Sequence, residues 1–295
     1  MANITASMVK DLREKTGAGM MDCKKALVES DGDVEKAIDW LRKNGIAKSE
    51  KKASRVAAEG LSRILTDGNK ACIVEVNSET DFVAKNELFL ELLDKTLKVL
   101  INSDVKTVEE AYALPVDGAT LKDVFINAVA TIGENITLRR FTKIEKADDE
   151  LFGCYMHQGG RISAVAVVKT TDPQVAKNMA MQVASMNPTY ISRNDMPKEV
   201  IDHEREIQVA LVNQDEKLAN KPDKVKAGIV EGRISKSLQD MCLVDQEFFL
   251  DTNIKCGQYL KENDSEVKSF TKYVVGEGIE KKEENFAAEV AAMAK

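Results

Sequence analysis

Histidine is almost missing from this chain. His157 and His203 are the only two in 295 residues. Imidazole is the commonest nitrogen ligand of structural and catalytic metals, so a histidine-built metal site is excluded for practical purposes. Cysteine is sparse as well. Cys23, Cys72, Cys154, Cys242 and Cys256 are odd in number and form no Cys-x-x-Cys pair. That pattern argues against a zinc site or a disulfide frame and fits reduced thiols in a cytoplasmic protein. Long apolar runs are absent: none approaches the ~20 residues of a membrane span. The opening Met1-Ala2-Asn3-Ile4-Thr5 leads into charged residues without the apolar core of a signal peptide. Positive charge is in deficit, 42 Lys and Arg against 49 Asp and Glu, a net charge of -7. Bulk electrostatics therefore disfavours a phosphate-backbone partner, and no direct nucleic-acid binding is expected. Lys48, Lys51, Lys52 and Arg55 do cluster within residues 46–58. No aromatic residues interleave with them, so the segment reads as a linker or a solvated helix.

Catalytic signatures are equally scarce. There is no Gly-x-x-x-x-Gly-Lys-Ser/Thr phosphate loop. Gly17-Ala18-Gly19 lacks the third glycine and the preceding strand of a dinucleotide fingerprint. Gly159-Gly160 lies between two apolar runs and reads as a hairpin turn. No serine elbow is present, no histidine and cysteine form an obvious nucleophile arrangement, and no carboxylate pair is singled out as acid and base. These absences point away from an enzyme and from a bound cofactor, toward a protein that works through its surfaces.

What is present is the composition of a soluble globular protein, 43% hydrophobic and 31% charged. The length suits about two ordinary domains or several small ones. The first 44 residues read as three short helices. Ile4, Met8 and Leu12 share a face of the first, and Cys23, Ala26 and Leu27 mark the second. The third carries Val34, Ala37, Ile38 and Leu41 and is expected to stop at Asn44-Gly45. Met20 and Met21 follow the glycine turn, where adaptable side chains serve either as core filler or as a binding surface. The body carries an internal repeat. A shift of 92 places Gly68 on Gly160, Val76 on Val168, and Val83-Ala84-Lys85-Asn86 on Val175-Ala176-Lys177-Asn178 without a gap. Phe141-Thr142-Lys143 recurs as Phe270-Thr271-Lys272 at a shift of 129, so the second copy carries an insertion. The insertion reads as two antiparallel helices joined at Asn220-Lys221-Pro222-Asp223. Their expected apolar stripes are Val200, Ile207, Ala210 and Leu211, then Val225, Ile229, Ile234 and Leu238. This hairpin either packs on itself alone or forms a docking or dimerisation arm. A polar connection, Gly276 to Lys282, leads to a final amphipathic stretch with Phe286, Ala287, Val290 and Met293.

The chain turns on Glu79-Thr80-Asp81-Phe82-Val83-Ala84-Lys85-Asn86. An apolar run, Ala71 to Val76, precedes it as a buried strand. Phe89, Leu92, Leu93, Thr96, Leu97 and Leu100 follow as one face of a helix. The octet is thus a strand-to-helix corner, where a rigid scaffold gives way to solvent or to a partner. Thr80 and Asp81 can cap exposed N–H groups. Phe82 has no local role of that kind, so it either folds back into the core or stands out to meet something.

Thr80-Asp81-Phe82-Val83-Ala84-Lys85-Asn86 closely resembles a signature of the elongation factor Ts family, the nucleotide-exchange factors of the translational GTPase EF-Tu. The run from Val9 to Leu27, Ile132-Gly133-Glu134-Asn135-Ile136, and the terminal Phe286 to Ala291 resemble further family patterns, so the resemblance covers the whole chain. It implies an α+β protein with a ubiquitin-associated-like three-helix module and linker at 1–55 and core subdomains at 56–145 and 146–275. The second subdomain would carry the helical hairpin at about 190–238, and a C-terminal helical module would span 276–295. It also implies a cytoplasmic exchange factor that binds EF-Tu·GDP and needs no cofactor. By the resemblance, Phe82 wedges between helices of the GTPase and Asp81 acts near its Mg²⁺, while Thr80 and Val83 fix the corner. Ile132, Gly133, His157, Met20 and Met21 would be further partner contacts. A homodimer through the hairpin is open. A scaffold or chaperone-like binding protein is the competing class, and an enzyme the third.

Overall fold

A computed structural model of the chain describes residues 4–218 and 220–280. It is α+β throughout and divides into two compact units. The first holds the described residues up to Ile144, together with Gln158–Ile162 and the segment from Tyr273. The second holds Glu145–His157 and Ser163–Lys272.

The first unit opens with α1 (Ala6–Thr16), α2 (Met20–Glu29) and α3 (Val34–Lys52). Two of the starts and one stop have a local cause. Thr5 and Asp33 cap α1 and α3 by accepting backbone N–H groups. Gly17 closes α1 in the left-handed region at φ 66°, its N–H donating to the Arg13 carbonyl. Leu12, Cys23, Ala26, Leu27 and Ala37 form the small core of this module. An antiparallel hairpin follows, β1 (Glu59–Asp67) and β2 (Lys70–Ser78), paired from Glu59 opposite Ser78 to Asp67 opposite Lys70. After the corner come α4 (Glu87–Ile101) and α5 (Val108–Tyr112), then a two-residue ribbon of β3 (Pro115–Val116) and β4 (Ala119–Thr120). The unit's main run ends with α6 (Leu121–Ile132) and β5 (Thr137–Glu145). The sheet order is β1-β2-β5. Phe89, Leu92, Leu93, Leu97 and Leu100 of α4 bury against Cys72, Val74 and Val76 of β2, as the helical spacing predicts. Each such side chain is worth about 1.5–3 kcal/mol of transfer free energy.

One sequence expectation fails here. The third helix does not stop at Asn44-Gly45; α3 runs seven residues past Gly45, to Lys52. Gly45 is buried, and a side chain built on it would meet Ile126 and Ala130 of α6. The glycine therefore lies within the helix, at ordinary contact distance from side chains of α6, and is not a stop signal. Arg42 pairs with Asp123 of α6 at 3.2 Å beside this contact, and Asn127 of α6 donates to the Thr16 carbonyl at 3.0 Å. The Thr120 hydroxyl and N–H, and then the Arg42 guanidinium, hold the Asp123 carboxyl below its ordinary pKa.

The opposite face of β2 is also dry, and it sets polar Glu75 and Asn77 beside Ala71 and Ile73. Glu75 is fully buried, and its carboxylate accepts from Arg139 Nη1 at 2.9 Å, Arg140 Nε at 2.6 Å and the Gly276 N–H at 2.8 Å. Arg140 also lies over the Tyr273 ring, 4.2 Å from its centroid. A buried carboxylate is tolerable only when it is paired and hydrogen-bonded in this way.

The second unit repeats the plan. Apart from Ile162 and the last two residues of β10, which fall in the first unit, it contains β6 (Glu150–His157), β7 (Ile162–Lys169), α7 (Pro173–Met186), α8 (Lys198–Gln214), α9 (Asp223–Met241), β8 (Glu247–Phe248), β9 (Asp251–Lys255), α10 (Cys256–Glu262) and β10 (Glu266–Val274). Its sheet order, β10-β7-β6, mirrors that of the first unit. β10 begins and ends 129 positions after β5, and α8 and α9 fill the insertion that offset requires. Of the stripe expected on α8 Val200 packs inward, but Ile207, Ala210 and Leu211 are exposed, and the inward face continues through Ile201, Glu204, Gln208 and Val212. Gln208 donates to Glu204 at 2.8 Å, so two polar side chains satisfy each other on a face that apolarity alone does not mark. Of the α9 stripe, Ile234 and Leu238 are buried and Ile229 packs beside them, while Val225 is exposed. The amphipathic stretch Phe286–Met293 lies outside the described residues. Among the described residues no helix is long and apolar enough to cross a membrane, and no cluster of His, Cys, Asp and Glu could hold a metal ion.

Two predictions follow from this packing. Gly153 of β6 presses on the backbone of α7, where an added methyl would overlap the Ala176 carbonyl. Gly153→Ala should therefore destabilise the second unit by about 1–3 kcal/mol or more, read as a lowered thermal midpoint in circular dichroism. The five thiols are all free. Burial pushes Cys72 and Cys256 up to about 12 and Cys154 to about 11, and raises Cys23 and Cys242 as well. At pH 8 a thiol of pKa near 12 is thiolate about one part in ten thousand. Mass spectrometry after iodoacetamide treatment at pH 8 should find these sites unmodified in native protein and alkylated after denaturation; fast native labelling of Cys72 or Cys256 would contradict the packing.

Candidate functional site

The corner between β2 and α4 is built from fixed parts around a projecting pair. β2 ends at Ser78, whose hydroxyl donates to the Thr80 carbonyl at 2.9 Å. Val83–Lys85 then form one turn of 3₁₀ helix, with the Val83 side chain buried in the α4 core. Asn86 caps α4, its side chain accepting the Leu88 N–H at 2.9 Å. Between these anchors Asp81 is exposed, and Phe82 is 79% exposed, the most solvent-exposed large apolar side chain among the described residues. Of the two readings open to Phe82 from sequence, the structure takes the second: the ring stands in solvent.

The bracing of Thr80 comes from across the unit. α6 ends at Gly133, in the left-handed region at φ 92°, and the chain turns through Glu134 and Asn135 into β5. The N–H groups of Glu79 and Thr80 both donate to Oε2 of Glu134, each at 3.0 Å. The Thr80 hydroxyl donates to its Oε1 at 2.6 Å. Two successive backbone N–H groups aimed at one anion form a small nest, and such charge-assisted bonds are about twice as strong as neutral ones. Glu79 returns the arrangement. Its Oε1 accepts the Asn135 N–H at 2.6 Å, and its other oxygen meets Arg55 at 3.4 Å. Asn135 also donates to the Arg55 carbonyl at 2.7 Å, and Lys52, at the end of α3, donates to the Gly133 carbonyl.

Thr80, Asp81, Phe82 and Val83 thus share one corner, and Ile132 and Gly133 belong to the turn that holds it. Ile132 is half-buried against the α4 core, and Gly133 is exposed. Met20 and Met21 open α2 in the same unit, 54% and 74% exposed, so their side chains are not core filler. His157 lies in the second unit, exposed at the end of β6, where its Nδ1 is 3.1 Å from the Tyr155 hydroxyl. The sequence reading passed over Glu134, Glu79, Asn135 and Arg55 as site residues. Glu134 and Asn135 were visible as the centre of Ile132-Gly133-Glu134-Asn135-Ile136, but nothing local said that a carboxylate there reaches a corner some 54 residues earlier.

The corner thus carries an exposed aromatic beside an exposed carboxylate and is braced from several sides. Comparison supplies the family. A family model described as "Elongation factor TS" matches residues 79–277. A curated relative from Oenococcus oeni (strain ATCC BAA-331 / PSU-1), "Elongation factor Ts", is 50% identical over 291 residues, covering 99% of this chain and 98% of the relative. The chain belongs to the elongation factor Ts family. It is a guanine-nucleotide exchange factor of translation elongation, and its partner is the GTPase EF-Tu.

Because Phe82 is mostly in water, its removal should leave the fold untouched. Phe82→Ala is expected within about 0.5 kcal/mol of wild type in urea unfolding, the usual range for surface changes. A larger loss would mean that the ring supports the corner it stands on.

Proposed function

We propose that the Asp81-Phe82 tip is the element by which this factor opens the nucleotide site of EF-Tu. GDP in such a GTPase is held by backbone N–H groups of a phosphate loop and by Mg²⁺. A factor that prefers the nucleotide-free partner must weaken GDP by the same ratio by which GDP weakens the factor. Phe82 enters between helices of the GTPase and shifts the elements that carry the Mg²⁺ ligands. Asp81 acts beside the ion and disturbs its ligand network. GDP leaves, and GTP loads in its place. Thr80 and Val83 aim the pair; Ile132, Gly133, His157, Met20 and Met21 make further contacts with the partner. Moving an exposed aromatic ring into an apolar partner site is worth about 1.5–3 kcal/mol. Spread over several contacts, that is enough to change release rates by large factors. On this reading the factor acts in the cytoplasm with no cofactor and no catalytic step of its own, touches neither nucleic acid nor membrane, and leaves the hairpin of α8 and α9 free to pair two copies.

The observation that carries this reading is the 79% exposure of Phe82 on a corner whose neighbours are fixed. The repeat supports it. Pro173-Gln174 stand where the first copy has Asp81-Phe82, and they form the first turn of α7. The second copy thus keeps the architecture and has no tip.

The test is release of a fluorescent GDP analogue from EF-Tu, with wild type and with Phe82→Ala and Asp81→Ala. The wild type should accelerate release strongly, and each variant should lose about tenfold or more, the equivalent of ~1.4 kcal/mol. Acceleration that survives both substitutions would sink the tip account and shift attention to Ile132, Gly133 and His157.

A further inference from the structure

We propose that Glu134 is a positioning residue for nucleotide exchange, acting through the tip without touching the partner's nucleotide. The proposal rests on the tip reading above and deepens it. Phe82 receives little packing of its own, so its direction is set by the backbone on either side. On the C-terminal side Val83 is buried and Asn86 caps α4. On the N-terminal side the Ser78 hydroxyl donates to the Thr80 carbonyl, and three further bonds converge on a single side chain: Glu134 accepts the Glu79 N–H, the Thr80 N–H and the Thr80 hydroxyl. Those residues immediately precede Asp81. Without the carboxylate, two backbone donors and a hydroxyl lose their acceptor together, and the strand end is free to fray up to Ser78.

The rest of the neighbourhood fits that role. Glu134 follows Gly133, whose left-handed conformation turns the chain out of α6 at this point. The adjacent carboxylate, Glu79, is held separately by the Asn135 N–H and by Arg55. The two carboxylates therefore each have their own donors and do not compete for one cation. Glu134 has no salt-bridge partner within the described residues. Its negative charge is matched by backbone dipoles, an arrangement that serves geometry more than charge balance.

The experiment measures the rate of fluorescent GDP release from EF-Tu against factor concentration for wild type, Glu134→Gln, Phe82→Ala and the double variant. An amide can accept through only one oxygen, so Glu134→Gln keeps the shape and removes the bidentate anion. The maximal rate should fall about ten- to thirtyfold while the half-saturating concentration changes less than about threefold, because the other contacts still form. Added to Phe82→Ala, the same change should cost less than about twofold more, since a residue that acts through the tip has nothing left to aim. Thr80→Val, which removes one donor of the three, should fall between wild type and Glu134→Gln, and Thr80→Ser, which keeps the hydroxyl, should lose less than Thr80→Val. Hydrogen exchange at the Glu79 and Thr80 amides reads the brace directly, and protection there should drop in Glu134→Gln. Failure takes separable forms. A fully active Phe82→Ala overturns the tip reading and this inference with it. An impaired Phe82→Ala beside a fully active Glu134→Gln overturns this inference alone. So do a Glu134→Gln loss that persists undiminished in the double variant, and amide protection that does not change.

Discussion

An aromatic ring in water cannot hold its own position. It gains nothing from the core and keeps its rotamers, so whatever direction it has is borrowed from the backbone that carries it. The first unit is arranged around that constraint. β2 delivers the chain to the corner along a strand buried on both faces, one by the leucines of α4 and the other by the Glu75 carboxylate with its two arginines. Beyond the corner α4 resumes with its own cap. The short exposed pair in between is framed by Val83 in the core and by Thr80 on the Glu134 carboxylate. A solvated apolar group on an ordered backbone combines two demands that oppose each other, and the polar brace reconciles them.

Duplication shows how little is needed to make or lose such a site. Val83-Ala84-Lys85-Asn86 and Val175-Ala176-Lys177-Asn178 are the same tetrapeptide in different conformations. In the first copy it forms a 3₁₀ turn that precedes the helix. In the second, Asp172 caps, Pro173 starts the helix, and the tetrapeptide lies inside α7. Proline at the first helical position favours that early start, since its fixed φ suits the helix and its missing N–H would have no partner there anyway. The first copy has Asp81 at that position and defers its helix to Glu87, and the deferral is what leaves Phe82 outside.

Much of this was legible in the sequence because it depends on local period and punctuation. The strand before the octet, the helical face from Phe89 to Leu100 and the glycine turns follow from residues within one or two turns of each other, and the duplicated order from copies matched 92 positions apart. The errors arose where tertiary context overrides local preference. Gly45 reads as a helix end, yet α6 packs beside it and the helix continues. On α8 the apolar residues Ile207 and Leu211 face water, while Glu204 and Gln208 turn inward by bonding each other. At the site, the corner and its projecting aromatic were visible, but the brace was not. A bond between Thr80 and Glu134 spans three α helices and the β3–β4 ribbon, and no periodicity encodes it.

The long third helix has a mechanical consequence. Nineteen residues of α helix make a rod of about 28 Å. One part of that rod lies in the three-helix core that presents Met20 and Met21. Its far end carries Lys52 to the Gly133 carbonyl and leads to Arg55, which is tied to Glu79 and Asn135. The module is thus joined to the tip by a strut and not by a tether. A protein that meets both surfaces does so at a preset spacing, with no entropy lost in closing a flexible connection between them. The same strut works as a gauge: a partner whose two patches lie at another distance can engage one end or the other, but not both.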